Sequence, residues 1–135
     1  MSTFNLKVVA SNKVFFDGAC KNLILPMVDG GTRGFLAHHE NIVAPVEIGE
    51  MTITTATDEK IHAFVGNGFM EFLDNCALVV CVSVELPEEI DVRRAQEAEH
   101  RAREKLRQKQ SIVEHRVTES DLSRAMYRLK MKGKY

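Results

Sequence analysis

A change in hydrophobic period near Pro87 is the feature that most limits how this chain can fold. Seven of the eight glycines and two of the three prolines lie before residue 69, with short apolar runs between them. This pattern is typical of many short strands. After Pro87 only Gly133 interrupts the chain, and apolar residues recur every three or four positions, as in amphipathic helices. The sequence therefore predicts a β-sandwich or barrel domain over residues 1–86, followed by an α-helical hairpin over residues 87–135.

Six strands are predicted in the first domain. Phe4, Leu6 and Val8 recur at every second position, which is the period of a half-buried strand. Tight turns are predicted at Gly66-Asn67-Gly68 and at Asp74-Asn75. The segment from residue 30 to 34 is interpreted as a β-turn, because it matches neither common phosphate-loop pattern. The other predicted strands are residues 22–27, 51–55, 61–65, 69–73 and 76–84.

Two helices are predicted in the second domain. The first follows Asp91, a natural N-cap, and runs to Gln110. Its apolar stripe is mostly alanine, and each alanine contributes only about 1 kcal/mol at ~25 cal/mol per Å² of buried surface. We therefore hypothesise that the hairpin docks weakly and is mobile. The second helix is predicted to begin at the capping-box pattern Thr118–Asp121, after a linker over Ser111–Val117.

The three cysteines do not predict a disulfide framework or a zinc site. Cys20, Cys76 and Cys81 are odd in number and lack paired C-x-x-C spacing, so they are interpreted as buried thiols in a reducing compartment. The longest apolar stretch is residues 77–84, far shorter than the ~20 residues that a membrane helix needs. The first ten residues match neither a signal peptide nor a transit peptide. We expect a chain that does not cross a membrane.

No catalytic residue and no metal site are predicted. His38, His39 and Glu40 carry metal-binding groups, but consecutive side chains do not converge on one ion without distant partners. The sequence has neither a G-x-S-x-G element nor an H-E-x-x-H motif. The sequence therefore does not predict an enzyme that hydrolyses its substrate with a nucleophilic side chain or with zinc.

The second domain is basic, and its arginines have helical spacing. Residues 85–135 hold thirteen Lys or Arg against ten Asp or Glu, whereas residues 1–84 hold five against nine. Arg94 and Arg101 lie seven positions apart, and Arg124 and Arg128 lie four apart, so an antiparallel hairpin would bring them together. Such a cluster suits a polyphosphate. From spacing alone a solvated face is favoured, with Glu97 neutralising Arg101, and nucleic-acid binding is disfavoured because acidic residues interrupt the basic ones.

Several motifs in this order resemble the epsilon subunit of bacterial F-type ATP synthase. The resemblance extends from about residue 3 to 130, and its most specific element is Ile-Asp-x-x-Arg-Ala at residues 90–95. Ala37 and Asn41 differ from this pattern, because the family usually has proline at both positions. The other matching segments are Phe16-Asp17-Gly18, residues 34–39, residues 49–53, residues 65–69 and residues 124–129.

The resemblance implies a non-catalytic subunit of the central stalk, in a complex that couples ATP synthesis to hydrogen ion transport. Its partners would be the gamma subunit, the ring of c subunits, and the alpha and beta subunits. It would be a peripheral membrane protein on the cytoplasmic face of the bacterial cell membrane. The loop over residues 34–42 would contact the c ring, through His38, His39 and Glu40.

The resemblance also implies a regulatory hairpin that inhibits ATP hydrolysis when extended and binds ATP as a regulatory ligand when folded. Matched by position, the ATP-binding residues would be Glu85, Ile90, Asp91, Arg94, Ala95, Arg101, Arg124 and Arg128. In the extended state, contacts with acidic residues of the catalytic subunits are expected from Arg93, Arg103, Lys105, Arg107 and Arg116. Two alternatives stay open: an ATP-sensing hairpin without a strong inhibitory role, and a basic helical adaptor.

Overall fold

The computed structural model describes residues 2–11, 13–108 and 111–135. It divides into two units, Met1–Glu85 and Leu86–Tyr135. The first unit holds the strands β1 Phe4–Ala10, β2 Lys13–Pro26, β3 Thr32–Leu36, β4 Ile42–Val46, β5 Gly49–Thr55, β6 Lys60–Val65, β7 Gly68–Leu73, β8 Cys76–Cys81 and β9 Val84–Glu85. The second holds a 3-10 turn at Pro87–Glu89 and the helices α1 Val92–Leu106 and α2 Ile112–Lys134. The predicted fold class, a β-sandwich followed by a helical hairpin, is confirmed.

The long strand β2 joins the two layers of the sandwich. Its first half pairs antiparallel with β1, where Cys20 lies opposite Phe4. Its second half lies between β3 and β5, with Leu23 opposite Phe35 on one side and Ile53 on the other. The register of the β2/β5 pair shifts just after Cys20, and such a β-bulge bends the strand. The order β4-β7-β8-β1-β2 therefore continues, past this bend, into β2-β5-β6-β9.

Alternating side chains form the core between the layers. Phe4, Leu6 and Val8 of β1 are each no more than 1% exposed, which confirms the period of two predicted for this strand. The Phe4 ring packs against Phe72 of β7, with 5.2 Å between ring centroids. Burial of one such large side chain contributes about 1.5–3 kcal/mol, so this unit holds most of the apolar stabilisation of the chain.

Two strands of the structure, β3 and β4, are not predicted from the sequence. Residues 30–34 were expected to form a turn, but only Gly30 and Gly31 do so, and β3 begins at Thr32, which lies opposite Pro26 of β2. In β3 only Phe35 is buried, so no alternation marks the strand. In β4, Pro45 weakens the strand signal, and the structure tolerates it because β4 is at the end of the strand order.

Gly66 and Asn67 form the short connection from β6 to β7 where a tight turn is predicted, but these two strands do not pair with each other. β6 pairs with β5 and β9, whereas β7 pairs with β4 and β8, so this segment carries the chain between different parts of the sheet. The predicted strand over residues 76–84 is likewise divided, because Val82 and Ser83 separate β8 from β9. The turn at Asp74-Asn75 is confirmed, with φ of 49° and 62°, the left-handed values of a two-residue hairpin loop.

The start of α1 is as predicted. An Asp91 carboxylate oxygen accepts a hydrogen bond from the Arg94 amide at 3.1 Å, which satisfies a donor that the first turn leaves unpaired. The helix ends at Leu106, earlier than predicted, and Gln110 lies outside the described residues. Ala95 and Ala102 are buried, as the predicted alanine stripe requires.

The predicted start of α2 is wrong by seven residues. The helix begins at Ile112, and its capping box joins Ser111 to Glu114. Thr118 lies inside the helix, where its hydroxyl donates to the Glu114 carbonyl at 2.9 Å. The expected linker is therefore mostly helix. Both sequences fit a capping box, and the upstream one prevails because no glycine or proline stops a helix that gains one hydrogen bond with each added residue.

The interpretation of all three cysteines as buried is wrong for Cys76, which is exposed at the start of β8. Cys20 and Cys81 are buried. Burial raises the pKa of the Cys20 thiol to about 11, and burial raises that of Cys81 to about 11 as well. Both thiols are therefore protonated and unreactive at neutral pH.

This difference predicts the alkylation pattern of the native chain. Iodoacetamide at a pH of about 8 should modify Cys76 alone, because only thiolates react and two thiols are buried and protonated. Intact-mass measurement should show one adduct on the folded chain and three after unfolding. The variant Cys76→Ser serves as the control and should stay unmodified when folded. A second adduct on the folded chain would contradict the burial of Cys20 or Cys81.

Candidate functional site

A cavity of about 270 Å³ lies between the two helices of the second unit. Two alanines of α1 form part of its wall, and charged side chains from both helices form most of the rest. The residues that line it are Ala98, Arg101, Ala102, Lys105, Asp121, Arg124 and Arg128.

Helical spacing explains why these side chains meet. On α1 the lining residues follow one another at intervals of three, one and three positions from Ala98, which keeps them on one face. On α2 the lining residues are separated by three and four positions, again on one face. The small Ala98 and Ala102 side chains leave space where larger ones would fill the helix interface.

Four cationic side chains line this cavity and only one carboxylate. Asp121 forms an ion pair with Arg124 of the same helix. Within residues 2–11, 13–108 and 111–135, the Arg101 guanidinium has no hydrogen-bond or ion-pair partner. Because arginine stays charged at any working pH and presents several N–H donors in one plane, the cavity is suited to phosphate oxygens.

The solvated-face alternative is wrong in one of its ion pairs. It expected Glu97 to neutralise Arg101, whereas Glu97 pairs with Arg93 at 3.3 Å and Arg101 is exposed without that partner. Two positions further along the helix, Arg103 pairs with Glu99 at 3.3 Å. The carboxylates of α1 thus pair with arginines that do not line the cavity.

The structure brings together three of the eight residues expected to bind ATP, namely Arg101, Arg124 and Arg128. The remaining five do not line this cavity. Ile90 and Ala95 are buried, Asp91 caps α1, and Arg94 is exposed. Glu85 is the last residue of β9, in the first unit.

Two charged residues of the cavity have other predicted roles. The sequence predicts that Lys105 contacts the catalytic subunits, yet it lines the cavity beside Arg101. It predicts Asp121 as part of a helix cap, yet Asp121 lies within α2 and faces the cavity. Helical spacing could have identified both residues, because Lys105 lies four positions from Arg101 and Asp121 lies three positions from Arg124.

The other basic residues expected to contact the catalytic subunits lie outside the cavity. Arg93 and Arg103 have the glutamate partners already described, and Arg107 pairs with Glu104 at 2.8 Å. Arg116 is exposed on α2. Exposed pairs of this kind contribute only about 0.2–1 kcal/mol each, so an acidic partner surface can compete for these cations.

The loop that contains His38, His39 and Glu40 is tied to the turn between β7 and β8. The His38 amide donates to the Asn75 side-chain oxygen at 2.7 Å, and the Asp74 amide donates to the Asn41 side-chain oxygen at 3.0 Å. Asn41 thus ties this loop to the turn between β7 and β8.

Within this loop the three predicted contact residues differ in exposure. The His39 ring packs against Phe35 and Phe72, with centroids 4.9 and 5.5 Å away. His38 and Glu40 are exposed, and His38 has a φ of 64°. The loop therefore exposes the side chains of His38 and Glu40, and the His39 ring anchors it to the core.

Neither a metal centre nor a membrane span is found among the described residues. In that part of the chain, no three His, Cys, Asp or Glu side chains are grouped so that they could hold a metal ion. None of the helices described has the length and apolar character needed to cross a membrane.

Comparison with known proteins covers nearly the whole chain. A family model for the ATP synthase delta/epsilon chain, β-sandwich domain, matches residues 3–87. A second model, for the long α-helix domain of the same chain, matches residues 88–133. The ATP synthase epsilon chain of Caldanaerobacter subterraneus subsp. tengcongensis is 37% identical over 134 residues, with 98% of this chain and 96% of the relative covered. That of Ruminiclostridium cellulolyticum is 36% identical over 129 residues, with 96% and 95% covered.

Solved structures share the fold at lower identity. A chain in the Euglena gracilis mitochondrial ATP synthase, solved as OSCP/F1/c-ring, has a TM-score of 0.79 at 18% identity, covering 100% of this chain and 83% of that one. A chain in the central stalk/c-ring structure of the Tetrahymena thermophila mitochondrial ATP synthase has a TM-score of 0.71 at 10% identity, covering 95% of each. With both domains matched and relatives above 30% identity along the chain, this protein belongs to the ATP synthase delta/epsilon chain family.

Proposed function

We propose that the chain is the epsilon subunit of a proton-translocating F-type ATP synthase, a non-catalytic part of the central stalk. It links the rotor to the catalytic head on the cytoplasmic face of the bacterial membrane. The match to epsilon chains of bacteria across both domains supports this assignment. The cationic cavity between α1 and α2 is the observation that carries the regulatory part of the proposal.

The exposed face of the sandwich supports docking on the gamma subunit. The strand registers align five apolar residues in one row across the sheet, and Phe69 and Val14 in this row are 47% and 55% exposed. A continuous apolar row on a surface is typical of an interaction site. The row is Pro45, Phe69, Val80, Val9 and Val14. The loop of His38 and Glu40 is the proposed contact with the c ring.

The compact hairpin is proposed to bind ATP through its phosphates. Ligand pockets for whole drug-sized molecules have volumes of about 300–1,000 Å³, so a cavity of 270 Å³ suits the phosphate chain with the base outside it. Arg101, Arg124 and Arg128 are the proposed phosphate ligands. Ile90, Asp91, Arg94 and Ala95 are proposed to order the first turn of α1 next to the nucleotide, and the role of Glu85 stays a prediction.

Binding to both helices gives ATP a regulatory effect. A ligand that needs side chains of α1 and α2 together stabilises only the hairpin in which the helices are packed. At a concentration about 100 times its Kd, such a ligand stabilises that state by about 2.7 kcal/mol. Each buried alanine of α1 contributes only about 1 kcal/mol, so we expect this shift to be large relative to the docking energy. High ATP is therefore proposed to keep the hairpin compact and to release inhibition.

The surface of the hairpin supports a second, extended state that contacts the alpha and beta subunits. Ile112 and Val113, in the first turn of α2, are 75% and 73% exposed, and Val117 is 56% exposed. An extended hairpin buries these side chains against a catalytic subunit. The basic residues proposed to pair with acidic residues there are Arg93, Arg103, Arg107 and Arg116, whereas Lys105 is proposed to act in the cavity.

Removal of the hairpin tests the inhibitory role. In the purified ATP synthase, truncation of this chain after residue 86 should raise ATP hydrolysis several-fold at low ATP, because the extended hairpin is no longer present. The full-length variant Arg116→Glu should relieve inhibition in part, while Ser123→Ala on the same helix, also exposed, should leave it unchanged. Hydrolysis rates at low and high ATP provide the measurement.

Other outcomes of this experiment identify the alternatives. Unchanged hydrolysis after truncation would contradict inhibition. ATP binding by the full-length chain would then support a sensor without a strong inhibitory role. The pairing of Arg93, Arg103 and Arg107 with glutamates of α1 favours that second candidate. Failure of the chain to bind an isolated gamma subunit would contradict the stalk assignment and leave the adaptor.

A further inference from the structure

The carboxylate of Asp121 is the one feature of the cavity that phosphate binding does not explain. A site for a polyanion gains nothing from an anion in its wall, yet Asp121 lines the cavity together with four cations. It belongs to neither end of α2, since the capping box of that helix is formed by Ser111 and Glu114. A role in helix capping therefore does not account for its presence.

Asp121 neutralises a cation that phosphate would otherwise contact. Its carboxylate pairs with the Arg124 guanidinium one turn along the helix. The Arg124 side chain is only 25% exposed, so water screens this pair less than it screens a pair such as Arg93 with Glu97, where the arginine side chain is 88% exposed. A phosphate group that enters the cavity meets the negative charge of Asp121 and competes with it for the N–H donors of Arg124.

We infer that Asp121 is an internal counter-anion, which a triphosphate chain displaces from Arg124 and which thereby lowers the affinity of the hairpin for ATP. This inference rests on the proposed ATP site and adds the residue that limits the affinity of that site for ATP. The cavity recognises a ligand by its negative charge and its phosphate oxygens, and inorganic tripolyphosphate has both, as ATP does. Both ligands are therefore expected to compete with Asp121 in the same way. A weaker site responds to changes at higher ATP concentrations, which suits a regulatory ligand that is abundant.

The test compares two variants that each remove one carboxylate from α2. Asp121→Asn keeps the shape and the acceptor oxygen of the side chain but removes its charge. Glu119→Gln is the matched control, because Glu119 pairs with His115 at 2.8 Å and does not line the cavity. Calorimetric titrations of the full chain with ATP and with inorganic tripolyphosphate measure Kd for the wild type and both variants.

We expect Asp121→Asn to bind both ligands about 3- to 10-fold more tightly than the wild type, because one competing charge is removed next to the phosphates. Glu119→Gln should change Kd by less than about 2-fold, since its charge lies on an exposed face. Circular dichroism checks that the helices remain. If the asparagine variant loses helix, Asp121→Ser removes the same charge and is measured instead.

The possible results separate this inference from the proposed function. Wild-type binding with no gain in Asp121→Asn would overturn the counter-anion role and leave the ATP site standing. An equal gain in both variants would also overturn it, because net charge alone would then explain the effect. Absence of binding of either ligand to the wild type and to Asp121→Asn, at millimolar concentration, would overturn the proposed ATP site and this inference with it.

Discussion

Replacement of both Arg124 and Arg128 with alanine should weaken ATP binding by about 100-fold or more, because each charge-assisted hydrogen bond contributes about 1.5–3 kcal/mol. Both side chains line the cavity, on successive turns of α2. Alanine is the best helix former, so the double variant keeps its helices. Calorimetric titration of the isolated full chain with ATP measures the change.

The matched control is the double variant Arg93→Ala with Arg116→Ala. It removes the same two charges from the same two-helix unit, but neither residue lines the cavity. Its affinity for ATP should fall by no more than a few-fold, through the weaker general attraction of an anion to a basic surface. Equal losses in both double variants would contradict a localised site. An unchanged Kd in the cavity variant would contradict phosphate binding there.

Replacement of Gly68 with alanine should destabilise the sandwich by about 3 kcal/mol or more, at the upper end of overpacking effects. A Cβ at this position would lie 2.0 Å from the Val80 carbonyl oxygen and 2.7 Å from the Cys81 Cα. These are backbone atoms of β8, the strand that pairs with β7, so the clash is relieved only by separating the two strands. We expect the sandwich of the variant to unfold at a lower urea concentration than the sandwich of the wild type.

Gly34→Ala is the control for this prediction. Gly34 also lies within a strand, and its nearest neighbour for a new Cβ is the Asn22 side-chain oxygen at 3.7 Å, an ordinary contact. The chain has no tryptophan, and both tyrosines, Tyr127 and Tyr135, belong to the helical unit. Unfolding of the sandwich is therefore followed by hydrogen exchange of its strand amides. Equal midpoints for Gly68→Ala and the wild type would contradict the close approach of β7 and β8.

Local signals in the sequence were sufficient for the elements with regular periods. The alternation in β1 and the turn at Asp74-Asn75 were predicted because each depends on residues close in the chain. The cap of α1 at Asp91 is local in the same way. Arginine spacing also identified three of the residues that line the cavity, since helix geometry relates positions three, four and seven apart.

Competition between equivalent local signals was decided by the structure. Ser111 and Thr118 each start a pattern that fits a capping box, and only the Ser111 pattern begins the helix. The apolar residues between them, Ile112, Val113 and Val117, are exposed. The first two turns of α2 therefore have no buried face that would mark them as helix. In the same way Glu97 has possible partners on both sides along α1, and only the side-chain arrangement assigns it to Arg93.

Local patterns in the chain were therefore enough to predict the two-domain order, the main strands, the cap of α1 and the helical face of the arginines. Contacts between residues distant in the chain decided the rest. The edge strands β3 and β4 exist because β2 and β7 offer them hydrogen bonds, and Gly68 is required because the backbone of β8 lies against it. Lys105 and Asp121 became cavity residues only when α1 and α2 packed together, since the surroundings of a charge depend on its neighbours in space.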